Sequence, residues 1–178
     1  MSNTMKPLFP SLRTARLVLR PLQAADAGVL HRIYQSDGVL RYFPIPSPPS
    51  REPIQRFVAG QEAQWEKHGY GHWGVLREGE AEIIGWAGLQ YLPELDETEV
   101  GYLLDRPFWS NGYATEAALA SLHFGYEHLA LERIIALVHP DNLASRRVIQ
   151  KCGMSYVDTL SLWGMELMRH ERTRALPT

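Results

Sequence analysis

A strand, a helix and a second strand in immediate succession constrain the fold of this chain more than any other feature. Residues 97–104 have the composition of a strand, and residues 133–139 are apolar on both faces, as in a strand buried inside a covered sheet. Between them, from about 113 to 129, apolar residues recur at helical spacing. Parallel strands require such a crossover, which is almost always right-handed. The sequence therefore predicts one parallel strand pair, with the amino end of the helix at the sheet edge.

The other elements predict that most of the sheet is antiparallel. Three strand-like segments with short turns between them precede the crossover helix. A first strand and two helices lie before these three strands. A short helix and two closing strands follow the strand at 133–139. We place the three strands at 71–77, 82–92 and 97–105, the first strand at 16–22, the early helices at 23–37 and from about Ser50 to near Gly69, the short helix at 142–153, and the closing strands at 154–159 and 161–168. The fold class predicted is α/β with a mixed, mostly antiparallel sheet and flanking helices.

Length and charge limit the classes of function. The chain has 178 residues, which fits a single domain over 14–170 with an N-terminal arm (1–13) and a C-terminal tail (171–178). A formal net charge of −2 argues against nucleic acid or an anionic membrane as the main partner. One cysteine, Cys152, and no HExxH-like histidine pair lead us to expect no disulfide and no metal. With no signal-like or membrane-spanning segment, we expect a cytoplasmic protein. Its oligomeric state is left open between monomer and homodimer.

The stretch WSNGYATEA, residues 109–117, has the character of an anion site. Gly112 permits a tight backbone turn, and Ala114 allows a ligand to approach the main chain. The first amides of a helix lack partners and, with the helix dipole, favour a phosphate. The alternative is that Gly112 only ends a loop and the alanines pack the helix on the sheet. A dinucleotide site would have more glycines, and a triphosphate loop would contain Gly-Lys-Ser/Thr, so a phosphate cradle of another kind remains.

Two longer segments carry a family resemblance. EVGYLLDRPFWSNGYATEAAL (99–119) and NLASRRVIQKCGM (142–154), with the opening TARLVLRPL, resemble the GNAT superfamily of N-acetyltransferases and its RimJ/RimL-like branch, over about 14–168. The resemblance implies that acetyl-CoA lies where two central parallel strands splay apart. Its pantetheine arm would pair with the backbone of Tyr102, Leu103 and Leu104. Its pyrophosphate would rest on the amides of Asn111, Gly112, Tyr113, Ala114 and Thr115.

Two residues are candidates for the proton transfers of acetylation. Glu99 lies on the strand that would pair with the cofactor and is a candidate base; the alternative is a solvated strand residue among other carboxylates. Many relatives carry a tyrosine on the last central helix as the acid for the departing thiolate, and here that position is Ile149. Ser145 is the best substitute, because its hydroxyl can donate toward sulfur; alternatively it only bonds locally at the helix start. Tyr42 and Phe43, in the proline-rich loop, are hypothesised to lie on the acceptor side.

Three further residues are candidate cofactor contacts. Asn142 resembles the asparagine that contacts the pantetheine arm in this family, and it also suits a helix N-cap; both roles can hold. Arg147 and Lys151 share a helix face at i, i+4 and could meet phosphates, although such a face is usually just solvated. We interpret His123 and His139 as structural and Cys152 as a small buried residue.

The predicted function is transfer of acetyl from acetyl-CoA to a primary amine, by direct attack in a ternary complex. The acceptor is either a protein N-terminus or a small-molecule amine. The alternative is a non-catalytic CoA-binding regulator or sensor on the same fold, which the missing tyrosine allows.

Overall fold

A computed structural model describes residues 9–174 and contains one eight-stranded sheet with helices on both faces. The strands are β1 (Leu12–Arg13), β2 (Leu17–Pro21), β3 (His72–Arg77), β4 (Gly85–Leu92), β5 (Glu97–Leu104), β6 (Arg133–Val138), β7 (Ser155–Leu162) and β8 (Met165–Thr173). The helices are α1 (Asp26–Tyr34), α2 (Arg51–His68), α3 (Tyr113–Glu127) and α4 (Leu143–Lys151), with a short 3₁₀ turn at Arg106–Phe108. Over residues 9–174, none of these helices is long and apolar enough to cross a membrane.

The order of strands places a single parallel pair inside an otherwise antiparallel sheet. Neighbours run β1-β2-β3-β4-β5-β6-β8-β7, and among the strands of residues 9–174 only β5 and β6 form a parallel pair. β4 and β5 remain paired from Gly85↔Leu104 to Leu92↔Glu97, whereas β5 and β6 share the single aligned pair Glu99↔Ile135. β5 and β6 therefore diverge beyond Glu99. The predicted mixed, mostly antiparallel sheet with a splayed parallel pair is confirmed.

Both faces of the sheet are covered by apolar side chains. Trp73 and Leu89 pack toward Leu122 of α3 on one face. Trp86 and Leu103 pack with α1 and α2 on the other face. Alternate residues of a strand point to opposite faces, so β5 contributes side chains to both layers. A sheet covered on both sides explains why its central strands appear as almost continuous apolar runs.

The closing strands extend beyond the predicted limits. The last strand was predicted at 161–168 and the tail from 171, but β8 continues to Thr173. β8 lies between β6 and β7, and Arg133 of β6 pairs with Thr173. The last residues of β8 are mostly charged and lack the apolar alternation by which a strand is predicted. Ion pairs with neighbouring strands, such as that of Arg169 with Asp158 at 2.6 Å, stabilise these side chains. Leu12–Arg13, within the predicted N-terminal arm, pairs with β2. Residues 1–8 of the arm and 175–178 of the tail lie outside the described part.

Candidate active site

The divergence of β5 and β6 opens a cleft of about 140 Å³ through the middle of the sheet. Its walls are residues of β5 and β6, the start of α4, Trp86 of β4, and Tyr42 and Phe43 from the loop between α1 and α2. Glu99 and Tyr102 both line it, although they are three apart on one strand and so approach it from opposite faces of the sheet. Side chains from both faces of the sheet therefore contribute to the lining of the cleft.

Glu99 is a buried carboxyl at the base of this cleft. Its side chain accepts a hydrogen bond of 2.6 Å from Nε2 of Gln90 and one of 3.2 Å from the amide of Leu137 on β6. The residue is only 7% exposed, so the alternative that it is a solvated strand residue is wrong. Burial raises the pKa of Glu99 to about 7, against the lowering by these two hydrogen bonds. A carboxyl with this pKa exchanges protons readily at neutral pH.

Ser145 lies on the other side of the cleft and contacts Tyr102. The two hydroxyl oxygens are 2.7 Å apart, and the Tyr102 hydroxyl also lies 3.3 Å from the Ser145 carbonyl oxygen, to which it can donate. Asn142 caps α4, because its Oδ1 accepts a hydrogen bond of 3.1 Å from the Ser145 amide. Burial raises the pKa of Tyr102, so the phenol remains protonated. Ile149 lines the cleft as an apolar side chain, which leaves Ser145 and Tyr102 as the hydroxyl groups on this wall.

The backbone amides at the amino end of α3 have no hydrogen-bond acceptor among the described residues. Gly112 precedes the helix with φ +81°, and the first helical bond runs from the Glu116 amide to the Gly112 carbonyl at 3.0 Å. Within residues 9–174, no protein acceptor binds the amides of Asn111, Gly112, Tyr113, Ala114 and Thr115. The Asn111 carbonyl accepts a hydrogen bond of 2.9 Å from the Arg16 guanidinium. The Asn111 side-chain amide donates one of 2.8 Å to the Trp109 carbonyl. This geometry is typical of an anion site.

Arg16 is a residue at this site that the sequence reasoning missed. Its guanidinium donates to the Asn111 carbonyl, lies 4.7 Å from the Tyr113 ring centre, and pairs with Glu116 at 2.7 Å. Burial raises the pKa of Glu116, but hydrogen bonds from Thr14 and Arg16 outweigh it and the net shift is downward. Glu116 therefore remains ionised and is neutralised by Arg16, so that it does not repel an anion at the helix end.

Comparison with known proteins identifies the family. Residues 16–155 match the family model described as the acetyltransferase (GNAT) domain. The chain belongs to the GNAT acetyltransferase family. It is 35% identical to the uncharacterized N-acetyltransferase YoaA of Bacillus subtilis over 82% of this chain and 83% of that protein. It is 30% identical to the FsC-acetyl coenzyme A-N(2)-transacetylase of Aspergillus fumigatus, over 84% of this chain and 67% of that protein.

Solved structures agree with this family at the level of the fold. RimL, a ribosomal L7/L12 alpha-N-protein acetyltransferase solved in complex with coenzyme A, superposes with a TM-score of 0.79 at 18% identity. The superposition covers 93% of this chain and 98% of the RimL chain, and at this sequence identity it shows a likeness of fold. The predicted GNAT fold and the enzyme class, N-acetyltransferase, are confirmed.

Of the other residues considered in this GNAT acetyltransferase, one lines the cleft and the rest do not. Arg147 and Lys151 are on the exposed face of α4, and neither lines the cleft or forms an ion pair with a described residue. His139 lines the cleft and stacks on Tyr42 with ring centres 5.2 Å apart. Cys152 is buried, and burial raises its pKa to about 11, as expected for a structural thiol rather than a nucleophile.

A second, larger cavity is not part of this site. It measures about 710 Å³ and is lined by residues of β2, α1 and α2 and by Phe9. None of the predicted catalytic or cofactor-binding residues borders it.

Proposed function

We propose that this chain transfers the acetyl group of acetyl-CoA to a primary amine by direct attack in a ternary complex. The observation that carries the proposal is the combination of unengaged amides at the start of α3 with a cleft that holds Glu99 and Ser145. The first feature suits the pyrophosphate of coenzyme A, and the second suits acyl transfer to nitrogen.

The donor would lie along β5 and against α3. Its pyrophosphate would accept hydrogen bonds from the five amides of 111–115. Its pantetheine arm would pair with the backbone of 102–104, where β6 has diverged and leaves this edge of β5 unpaired. Asn142, at the start of α4, faces the same cleft and would contact the arm. Arg147 and Lys151 would contribute at most through their charge, because their side chains extend into solvent.

The chemical step requires a neutral amine and a departing thiolate. Glu99 would take a proton from the ammonium form of the acceptor, directly or through water. The amine nitrogen then forms a bond to the acetyl carbon, and the carbon–sulfur bond breaks. The nitrogen loses its second proton, which would pass through the Ser145 hydroxyl or water to the departing thiolate, so that coenzyme A leaves as the thiol. Ser145 would donate a hydrogen bond to the sulfur, and Tyr102 would donate to the Ser145 oxygen, 2.7 Å away, which would leave the serine proton free to point into the cleft. Orientation of the two substrates would supply about 7–11 kcal/mol.

Two acceptor classes agree with the relatives. RimL is named a ribosomal L7/L12 alpha-N-protein acetyltransferase, and the Aspergillus relative is named an FsC-acetyl coenzyme A-N(2)-transacetylase. A protein N-terminus and a small-molecule amine both remain acceptors of the proposed reaction.

A ligand screen combined with an activity assay tests this function. We expect acetyl-CoA and CoA to raise the melting temperature, and ATP and NAD to raise it less. In the presence of amines, thiol release from acetyl-CoA should follow. Binding of CoA without thiol release on any amine would instead indicate a regulator, and a larger shift with ATP or NAD would overturn the assignment of the α3 site.

Replacing Tyr102 by Phe should lower kcat about 5- to 10-fold and leave the KM for acetyl-CoA nearly unchanged, because it removes one hydrogen bond to Ser145. Ser145→Ala should lower kcat by about 10-fold. If Tyr102 acts through Ser145, the double variant loses little more than Ser145→Ala alone. The matched control is Tyr126→Phe. It also removes a tyrosine hydroxyl that donates a hydrogen bond, here to the Arg172 carbonyl at 2.6 Å, and it should leave kcat nearly unchanged. Fully additive losses would contradict a coupled pair.

A further inference from the structure

The acceptor side of the cleft is formed mainly by aromatic rings. Trp86 and Glu99 belong to the sheet face covered by α1 and α2, and Tyr42 and Phe43 approach from the loop that joins those helices. Tyr42 is fixed by stacking on His139, and the Trp86 indole donates to the Tyr34 hydroxyl at 3.0 Å. Rings held in this way form a fixed apolar wall next to the carboxyl that would receive the proton.

Glu99 is the acidic group on this wall, and His139 is the one described side chain lining the cleft that can take up a positive charge. Among the described residues that line the cleft, Glu99 is the only carboxylate, and none is lysine or arginine. An acceptor that brought a carboxylate would bury it beside Glu99 with no lysine or arginine as a partner, which is costly, and the ring of His139 is already stacked on Tyr42. A polyamine would find a single carboxylate for its several charges.

The space beside Glu99 also restricts the acceptor. The cleft of about 140 Å³ is close to the volume of a cavity that holds one benzene molecule, and it must also admit the acetyl group. Gly101 lines it without a side chain, and a Cβ there would lie 3.4 Å from the Trp86 ring. The end of the acceptor that reaches Glu99 must therefore be slim, as an unbranched aminomethyl group is.

We propose that the preferred acceptor is a primary amine on an unbranched carbon, carried by an uncharged aromatic or apolar body without a carboxylate. This inference rests on the proposed function and narrows its acceptor class to small amines. The aromatic body would contact Tyr42, Phe43 and Trp86, and its ammonium group would be drawn to Glu99.

A matched panel of amines tests the class. Thiol release from acetyl-CoA is measured with 2-phenylethylamine, phenylalanine, phenylalanine amide, spermidine and a peptide with a free N-terminal serine. We expect kcat/KM for 2-phenylethylamine to exceed that for phenylalanine by at least about 30-fold, because the amino acid buries an unpaired carboxylate and also carries its amine on a branched carbon. Phenylalanine amide is branched but has no carboxylate, so its kcat/KM should fall between the two. Higher activity on phenylalanine, spermidine or the peptide would overturn the inference and retain the acetyltransferase function. No thiol release with any amine would overturn both.

A substitution at the rim gives an independent readout. Tyr42→Ala should lower kcat/KM for 2-phenylethylamine by about 5- to 10-fold, and that for ethylamine by less than about 2-fold, because only the larger amine reaches the ring. Tyr156→Ala is the control, since this tyrosine is exposed on β7 and does not line the cleft. Equal losses on the two amines would contradict contact between Tyr42 and the acceptor body.

Discussion

Substitution of Glu99 by glutamine is expected to lower kcat/KM for amine acetylation by about 100- to 10,000-fold, the usual contribution of a general base. Glutamine keeps the size of the side chain and can still bond with Gln90 and the Leu137 amide, but it accepts no proton. In the unmodified protein the rate should rise with pH through about 7, where Glu99 loses its proton. That limb should be absent from the pH profile of the variant.

Glu99 should also affect stability, in the opposite direction from its effect on activity. The pKa of Glu99 is raised from 4.5 to about 7, so the folded state binds more protons than the unfolded state between these values. Stability from this group is therefore present at low pH and declines as pH rises through that window. At pH 8 the buried charge costs up to about 3 kcal/mol, and Glu99→Gln should melt higher than the unmodified protein there, with the difference closing near pH 4.

A neighbouring carboxylate provides the control for both measurements. Glu97 lies two residues away on β5 and is also buried, but it pairs with Arg133. Glu97→Gln breaks that ion pair, so it should lower stability at pH 8 and leave the limb near pH 7 in place. If Glu99→Gln retained most activity, or if the limb persisted in it, Glu99 would not be the base.

Local signals accounted for the parts of the site that lie on one segment. The crossover helix, the turn at Gly112 and the cap at Asn142 are each determined by a few adjacent residues, and the structure has all three. Their geometry follows from backbone rules that operate over a single helical turn. The part of β8 after Met168 was not predicted, because its charged residues are stabilised by partners on other strands and not by adjacent residues.

The contacts across the cleft required the fold itself. Glu94, Asp96 and Glu97 made Glu99 look solvated, and its burial follows from β6, whose Leu137 amide reaches it from 38 residues away. The pairing of Tyr102 with Ser145 spans 43 residues, and that of Arg16 with Asn111 spans 95. One feature of the sequence could have indicated that Tyr102 and Glu99 lie on opposite sides of the cleft. Tyr102 stands three residues after Glu99 on a strand, so the two side chains point to opposite faces of the sheet.

Replacing Gly112 by alanine is expected to raise the KM for acetyl-CoA by about 100-fold, through loss of charge-assisted hydrogen bonds from displaced amides. Gly112 has φ +81°, a conformation that costs other residues about 1–2 kcal/mol, and a Cβ there would lie 3.3 Å from Nη2 of Arg16. Relief of this strain rotates the amides of 111–115 away from a common centre. The loss should therefore fall on binding of the pyrophosphate rather than on the chemical step.

A shortened donor separates binding of the pyrophosphate from general damage to the loop. Acetylpantetheine has the thioester and the arm of acetyl-CoA but no pyrophosphate, so Gly112→Ala should change its kcat/KM little while that for acetyl-CoA falls. Gly79→Ala is the matched control, because Gly79 also has φ +81°, with no atom within 4 Å of an added Cβ, in the turn between β3 and β4. It carries the same backbone strain and should leave both donors unaffected. Equal losses with the two donors would mean that the amides at the start of α3 do not bind the pyrophosphate, because only one of the donors has that group to lose.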